Sequence, residues 1–199
     1  MATTLTEPST ETQPRPQRAD ARRNRAKVLE AARREFSKRG LEAQMDDIAR
    51  AAGVGVGTVY RHFPNKEDLL TALADEKFQG LADAARSGLA AKDAWEGLAE
   101  FMTYGTQTMA DDRALAEAMG QHPGLCAAAA ERAELDPLVT ELVTRARVEG
   151  TLRADVVPED IPALICGIGR AVDAESGAPT MPWDRYLKII LAGLSAKAA

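Results

Sequence analysis

The chain has 199 residues, 45% of them hydrophobic, enough to bury the core of one large domain or two small ones. No apolar run is long enough to cross a bilayer, and residues 1–20 hold no apolar stretch of the secretory kind, so neither a membrane span nor a signal segment is expected. The formal charge of −5 speaks against a uniformly basic nucleic-acid coat, but it is unevenly spread: residues 1–66 carry 13 Lys/Arg and 8 Asp/Glu, and residues 67–199 carry 12 and 22.

That imbalance separates a basic front from an acidic remainder and suggests two modules with different partners; a chance fluctuation of solvated surface charge gives the same counts. The two cysteines, Cys126 and Cys166, are far apart and form no paired motif. They suit a reducing cytoplasm, read most simply as buried apolar residues, and point to neither a disulfide framework nor a zinc site. No metal or cofactor is expected.

Residues 1–19, rich in Thr, Pro, Glu and Arg, read as a disordered arm. Everything after them reads as helix, giving an all-α chain. Asp20 is placed to cap a first helix whose buried face holds Val28, Leu29, Ala32 and Phe36, and Gly40 to stop it. Met45, Ile48, Ala49 and Ala52 mark a short second helix ended by Gly53. A third helix fits between Gly55 and Phe63, with Val59 and Phe63 turned inward, before Pro64 interrupts. Asn65 is an N-cap for a long fourth helix with Glu67 and Asp68 in its first turn and an apolar stripe through Leu70, Ala74, Phe78, Leu81 and Ala85.

Trp95, Leu98, Met102 and Met109 share a further helical face. Residues 111–134 are ambiguous, with Pro123-Gly124 read as a break. Leu138–Val148 is the next helix, stopped by Gly150. Pro158-Glu159-Asp160 opens another, and a turn through Ser176-Gly177-Ala178-Pro179 leads to a last helix from Trp183. The resulting division is 1–19 arm, 20–66 first helical domain and 67–199 second helical domain.

The stretch AAGVGVGTVYRHFPNK, residues 51–66, bears most on function. It is not a nucleotide loop. The preceding residues are charged and helical rather than a strand, the spacing is GxGxG, and no Lys-Ser/Thr pair follows. It reads instead as a helix-turn-helix, with Gly53 in the turn and Val54 plugging the gap between helices. Gly55 and Gly57 leave room for the third helix to approach another backbone, and a helix N-terminus favours phosphate. Tyr60, Arg61 and His62 add donors further along, a combination suited to a DNA major groove with flanking phosphate contacts.

Residues 22–70 resemble the DNA-binding domain of the TetR/AcrR family of bacterial transcriptional regulators. The resemblance is carried by Met45-Asp46-Asp47-Ile48-Ala49, Ala52-Gly53-Val54, Gly57-Thr58-Val59-Tyr60, His62-Phe63 and Lys66-Glu67-Asp68-Leu69-Leu70. It implies a homodimer on a palindromic operator of double-stranded DNA, acting as a repressor that a small molecule in the C-terminal domain releases. It also implies base readout by Val56, Gly57, Thr58 and Arg61, and phosphate contacts from Gln44, Tyr60, His62 and Lys66. Gln44 departs from the Ser or Thr usual at the start of the second helix, and it is a weaker cap. For Arg61 the plain alternative is a solvated surface arginine. The arginines Arg15, Arg18, Arg22 and Arg23 fit either phosphate contact or a solvated tail.

In the second domain, Trp95, Phe101, Met102, Tyr104, Met109, Met119, His122 and Arg170 are candidates for lining a ligand cavity; residues of these types at helical spacing also fit plain core. The last two helices present broad apolar faces, Ile161, Leu164, Ile165, Ile168 and Val172 on one and Trp183, Tyr186, Leu187, Ile190, Leu191 and Leu194 on the other. They are expected to form a two-fold four-helix interface, since one short recognition helix gives little affinity. The alternative is that they close the core of a single subunit. Two other functions stand beside regulation: a helical dimer that coats DNA without sequence preference, and an enzyme using the C-terminal cavity. For the latter no paired carboxylates, nucleophile-base pair or metal spacing speaks.

Overall fold

The computed structural model describes residues 15–111, 120–172 and 183–196, with backbone alone at 15–18 and 170–172. The described elements are helices: α1 (Arg15–Arg39), α2 (Met45–Ala52), α3 (Val56–His62), α4 (Lys66–Ala90), α5 (Ala94–Asp111), α6 (Pro123–Arg132), α7 (Leu135–Val148), α8 (Asp160–Val172) and α9 (Trp183–Leu194), with a single 3-10 turn at Gly40–Glu42. One isolated antiparallel bridge, Leu152 to Ser195, ties the loop after α7 to the end of α9. No helix among the described residues is long and apolar enough to cross a membrane.

The helices gather around two cores. The first, in the head, buries Val28, Leu29 and Phe36 of α1, Ile48 of α2, Val59 of α3, and Leu69 and Leu73 of α4. The second, in the body, buries Ala82 and Ala85 of α4, Leu98 and Met102 of α5, Leu142 and Val143 of α7, and Ile161 of α8. Helix α4 supplies both, and Phe78 packs against both. The expected boundary at residue 66 therefore falls at the start of a helix that the two cores share.

Local chemistry sets the breaks. Gly53 closes α2 in the left-handed region, φ 65°, and its N–H reaches the Arg50 carbonyl while the Val54 N–H reaches that of Ala49. This is the paired C-terminal bond pattern that favours glycine. Asn65 caps α4 as expected: its side-chain oxygen accepts from the Asp68 N–H at 2.8 Å. Arg145 of α7 fastens the α4–α5 turn, donating to the Leu89 carbonyl at 2.7 Å and the Lys92 carbonyl at 3.0 Å.

Three boundaries differ from the sequence expectation. Helix α1 begins at Arg15, so Asp20 is not its cap but lies inside it, paired with Arg23. Pro16 sits in the first turn, where a missing N–H costs nothing. The same tolerance moves the start of α7 forward to Leu135, with Pro137 in its first turn, and makes Pro123 the first residue of α6 rather than a break. The expected turn at Ser176–Pro179 lies outside the described residues.

Helices α4 and α5 cross backbone to backbone at Gly88 and Gly97. A methyl group built on Gly88 would stand 2.5 Å from the Gly97 carbonyl oxygen, and one on Gly97 would meet the Gly88 carbonyl. Neither obstacle is a flexible side chain, so the helices themselves would have to separate. Gly88→Ala and Gly97→Ala are each expected to lower stability by about 1–3 kcal/mol, read as a lower urea midpoint at unchanged slope.

Candidate nucleic-acid interface and body cavity

Helix α3 is held from below and open above. Val59 is fully buried and Phe63, just past the helix end, is buried with it. The Arg25 guanidinium lies 5.3 Å from the centre of the Phe63 ring, bracing α1 against this end. The opposite face carries Val56, Gly57, Tyr60 and Arg61 in successive turns, with Val56 40% and Tyr60 45% exposed. Thr58 and His62 sit half-buried on the flank. The four residues expected to read bases are thus brought together on one short helix, three facing solvent and Thr58 at the side.

Gly55 and Gly57 have no crowding to satisfy inside the subunit. An added methyl on Gly57 meets nothing within 4 Å, and one on Gly55 only the Thr58 hydroxyl at 4.0 Å. The fold itself therefore does not require glycine at 57, in a helix where glycine costs about 1 kcal/mol relative to alanine.

The expected phosphate residues fare unevenly. Tyr60 is presented outward. The Gln44 side chain caps nothing; its amide donates to the Glu42 carbonyl at 2.9 Å, leaving the first turn of α2 without a side-chain acceptor. Lys66 has an internal role that the sequence reading did not include. Its ammonium donates to the Leu41 carbonyl and stands 5.6 Å from the centre of the Phe36 ring. Lys66 thereby ties the start of α4 to the turn after α1. Arg22 is exposed, and Arg15 and Arg18 have no described side chains.

Several other head cations have partners. Asp47 takes Arg39 at 2.6 Å and Arg50 at 2.9 Å, joining α1 to α2, and Glu76 takes Arg33 at 3.0 Å, joining α1 to α4. No ion pair to Arg61 is seen among the described residues.

The body contains a cavity of about 320 Å³ between α4, α5, α7 and α8, at the small end of the range for small-molecule sites. Of the residues proposed from sequence to line it, Phe101 and Met109 do. Met102 is fully buried core, and Trp95 packs half-buried against that core. Tyr104 points its hydroxyl toward Gly80 on the outer side of α4, and His122 is exposed before α6. Met119 and the Arg170 side chain lie outside the described residues. Aromatic and methionine residues proved a poor guide because they fill core as readily as they line a cavity.

Sequence reasoning missed Lys77, Phe78, Leu81, Val139, Ile165 and Cys166, all in the cavity wall. Lys77 lies beside Phe78 on the edge of the α4 apolar stripe, buried in the same wall. Cys166 is not buried as expected but exposed at this wall. Burial pushes the Cys126 thiol up from its ordinary value, with Lys77 opposing and Cys166 adding to the shift, so its thiolate is disfavoured.

The residues expected at the interface divide by burial. Ile161, Ile165, Ile168, Leu187 and Leu194 are buried within the subunit, and Leu164, Trp183, Tyr186, Ile190 and Leu191 pack half-buried against the same core. The Val172 side chain lies outside the described residues. The apolar stripes of α8 and α9 therefore close the body. The outward faces carry small residues, Ala163 and Gly167 on α8 and Ala192 and Gly193 on α9, with Ile189 59% exposed and Arg185 and Lys188 also exposed on α9. An apolar stripe marks whichever side is dry in the subunit, and here that side is the core.

Head and body together make a helical DNA-binding regulator with a helix-turn-helix at one end and a helical body at the other. Comparison with known proteins agrees. The pattern of bacterial regulatory proteins of the tetR family matches residues 28–73, and that of the SbtR-like transcriptional regulator C-terminal domain matches residues 93–196. The fold superposes with a TM-score of 0.66 on a TetR transcription regulatory protein from Mycobacterium vanbaalenii, 40% identical over 90% of this chain and 99% of that one. The regulator SCO0520 from Streptomyces coelicolor gives 0.63, at 29% identity over 86% and 98%. The HTH-type transcriptional regulator TtgR of Pseudomonas putida is 44% identical over 72 residues, 34% of each chain, so this chain spans about a third of the length of the curated relatives it matches. The chain belongs to the TetR family of bacterial transcriptional regulators, which are not enzymes.

Lys66→Met is expected to lower the thermal midpoint of the head by removing the tie to Leu41, a loss of about 1–3 kcal/mol for a charged hydrogen bond. Circular dichroism melting checks this, and an unchanged midpoint would leave Lys66 free for phosphate alone.

Proposed function

We propose that the protein is a cytoplasmic homodimeric repressor that binds a palindromic operator through α3 of each subunit and is released by a small molecule held in the body cavity. The observation that carries this reading is the course of α4. One unbroken helix runs from the head core to the body core, and residues 77, 78 and 81, between the two, line the cavity. A ligand that prefers one setting of α4 shifts the population toward it, and operator affinity changes by the difference.

The outward face of α3 suits base reading. Arg61 is offered for guanine, Val56 and Thr58 for apolar contact, and Gly57 for close backbone approach. Tyr60 and His62 suit phosphate, with Lys66 positioning the helix more than touching DNA. Two-fold pairing is assigned to the small-residue faces of α8 and α9, where Gly167 and Gly193 allow close approach. It sets the two reading helices about 34–36 Å apart, one turn of the duplex. Sequence-blind coating of DNA is the less favoured reading, because many head cations are held in ion pairs within the subunit.

The test is a gel shift of the full chain on its own upstream DNA against random duplex. Arg61→Ala is expected to cost about 1–3 kcal/mol on the cognate site and to relax its preference; unchanged affinity and preference would remove Arg61 from base reading. Gly57→Ala separates fold from recognition: stability should hold or rise by about 1 kcal/mol, while operator affinity falls. Ile189→Glu, on the outward face of α9, is expected to shift sedimentation toward monomer, and an unaltered dimer would place the interface elsewhere.

A further inference from the structure

Helix α3 has seven residues, too few to hold its own last turn in water. Val59 buries its middle. At its end the Phe63 N–H donates to the Val59 carbonyl at 2.8 Å, and the Arg25 guanidinium lies 5.3 Å from the centre of the Phe63 ring. Tyr60, Arg61 and His62 all stand on the turn that this contact closes. Arg25 is in turn tied to α4. Its Nη1 lies 3.9 Å from Oε1 of Glu76, while Oε2 of the same carboxylate takes Arg33 at 3.0 Å. Glu76 follows closely on Ala74, the last buried α4 residue of the head core, and stands next to Lys77 and Phe78 of the cavity wall. Arg25 and Glu76 are both exposed, so their pairing adds little to overall stability. Its effect lies in where it puts the guanidinium.

From this series of contacts we infer that Glu76 is a positioning residue for DNA reading: through Arg25 on the Phe63 ring it sets the last turn of α3. As an anion, Glu76 gains nothing from DNA directly. It acts from the stretch of α4 between the head core and the cavity, so the same contact gives α4 a hold on the end of the reading helix besides the shared core. The inference rests on the reading of α3 as the helix that meets DNA, and names a residue that governs it from outside.

The experiment pairs the operator gel shift with amide hydrogen exchange on the DNA-free full chain, for Glu76→Gln, Arg25→Met, their double variant and Arg25→Lys. By charge alone, Glu76→Gln removes an acid from the head and tightens binding to every duplex. By positioning, it weakens the cognate site about two- to fivefold, the worth of an exposed cation–π contact, and leaves random duplex bound no more weakly. Arg25→Met is expected to show the same loss at an unchanged salt slope, the double variant no further loss, and Arg25→Lys most of the native preference. In the free chain the Phe63 amide is expected to exchange faster in Glu76→Gln and Arg25→Met than in the native protein. Cognate binding that holds or tightens in Glu76→Gln, or additive losses in the double variant, would overturn the assignment. So would a flattened salt slope in Arg25→Met with equal loss on random DNA, the mark of a phosphate contact. If the unaltered chain does not prefer its operator to random duplex, the regulator reading falls by itself. The exchange rates then decide the link, faster exchange in Glu76→Gln keeping it and native rates removing it.

Discussion

Everything in this molecule depends on α4 being one uninterrupted helix whose two ends are buried in different cores. Leu69 and Leu73 anchor it in the head, and Ala82 and Ala85 in the body. Phe78 belongs to both and leaves no solvated hinge between them. Interiors are close-packed and answer displacement by moving as units, so a shift of this rod in the body is a shift of the head. The start of the rod is fixed by the Asn65 cap and the Lys66 ammonium on the Leu41 carbonyl. Its far end is fixed by Arg145 and by the glycine crossing with α5.

The effective charge of the reading surface is smaller than composition suggests. Arg39 and Arg50 share Asp47, and Arg25 and Arg33 share Glu76. These pairs serve mainly to register α1 against α2 and α4, since half-exposed ion pairs add little stability each. Arg22, Lys27 and Arg61 are exposed, with exposed Tyr60 and half-buried His62 beside Arg61. A surface with few available cations leans on shape and base contact more than on bulk charge, which fits a reader of sequence better than a coat.

The local grammar of the fold was legible in the sequence, and its three-dimensional consequences less so. Gly53, Gly40 and Asn65 act within a few residues of themselves, so their roles could be read directly. The helix-turn-helix likewise follows from near-neighbour spacing. Pro123, read as a break, instead begins a helix, and Pro16 and Pro137 likewise sit in first turns. The apolar stripes of α8 and α9 were found correctly, but periodicity says only that a face is dry, and both stripes turn inward to the subunit core. The cavity was least legible. Its wall draws a few residues from each of four helices, a combination that no single periodic pattern reveals.

One contact changes how the head is attached. Ala129 of α6 lies in the head core, and Arg132 of the same helix holds Asp75 of α4, its Nε 2.9 Å from the carboxylate. The head is thus slung from two struts rather than balanced on one. A swing of α4 alone would have to shear past α6, whereas a tilt shared by both would carry the head as a rigid piece. The α6 contact with Asp75 and the burial of Ala129 thus couple the head to a second helix besides α4.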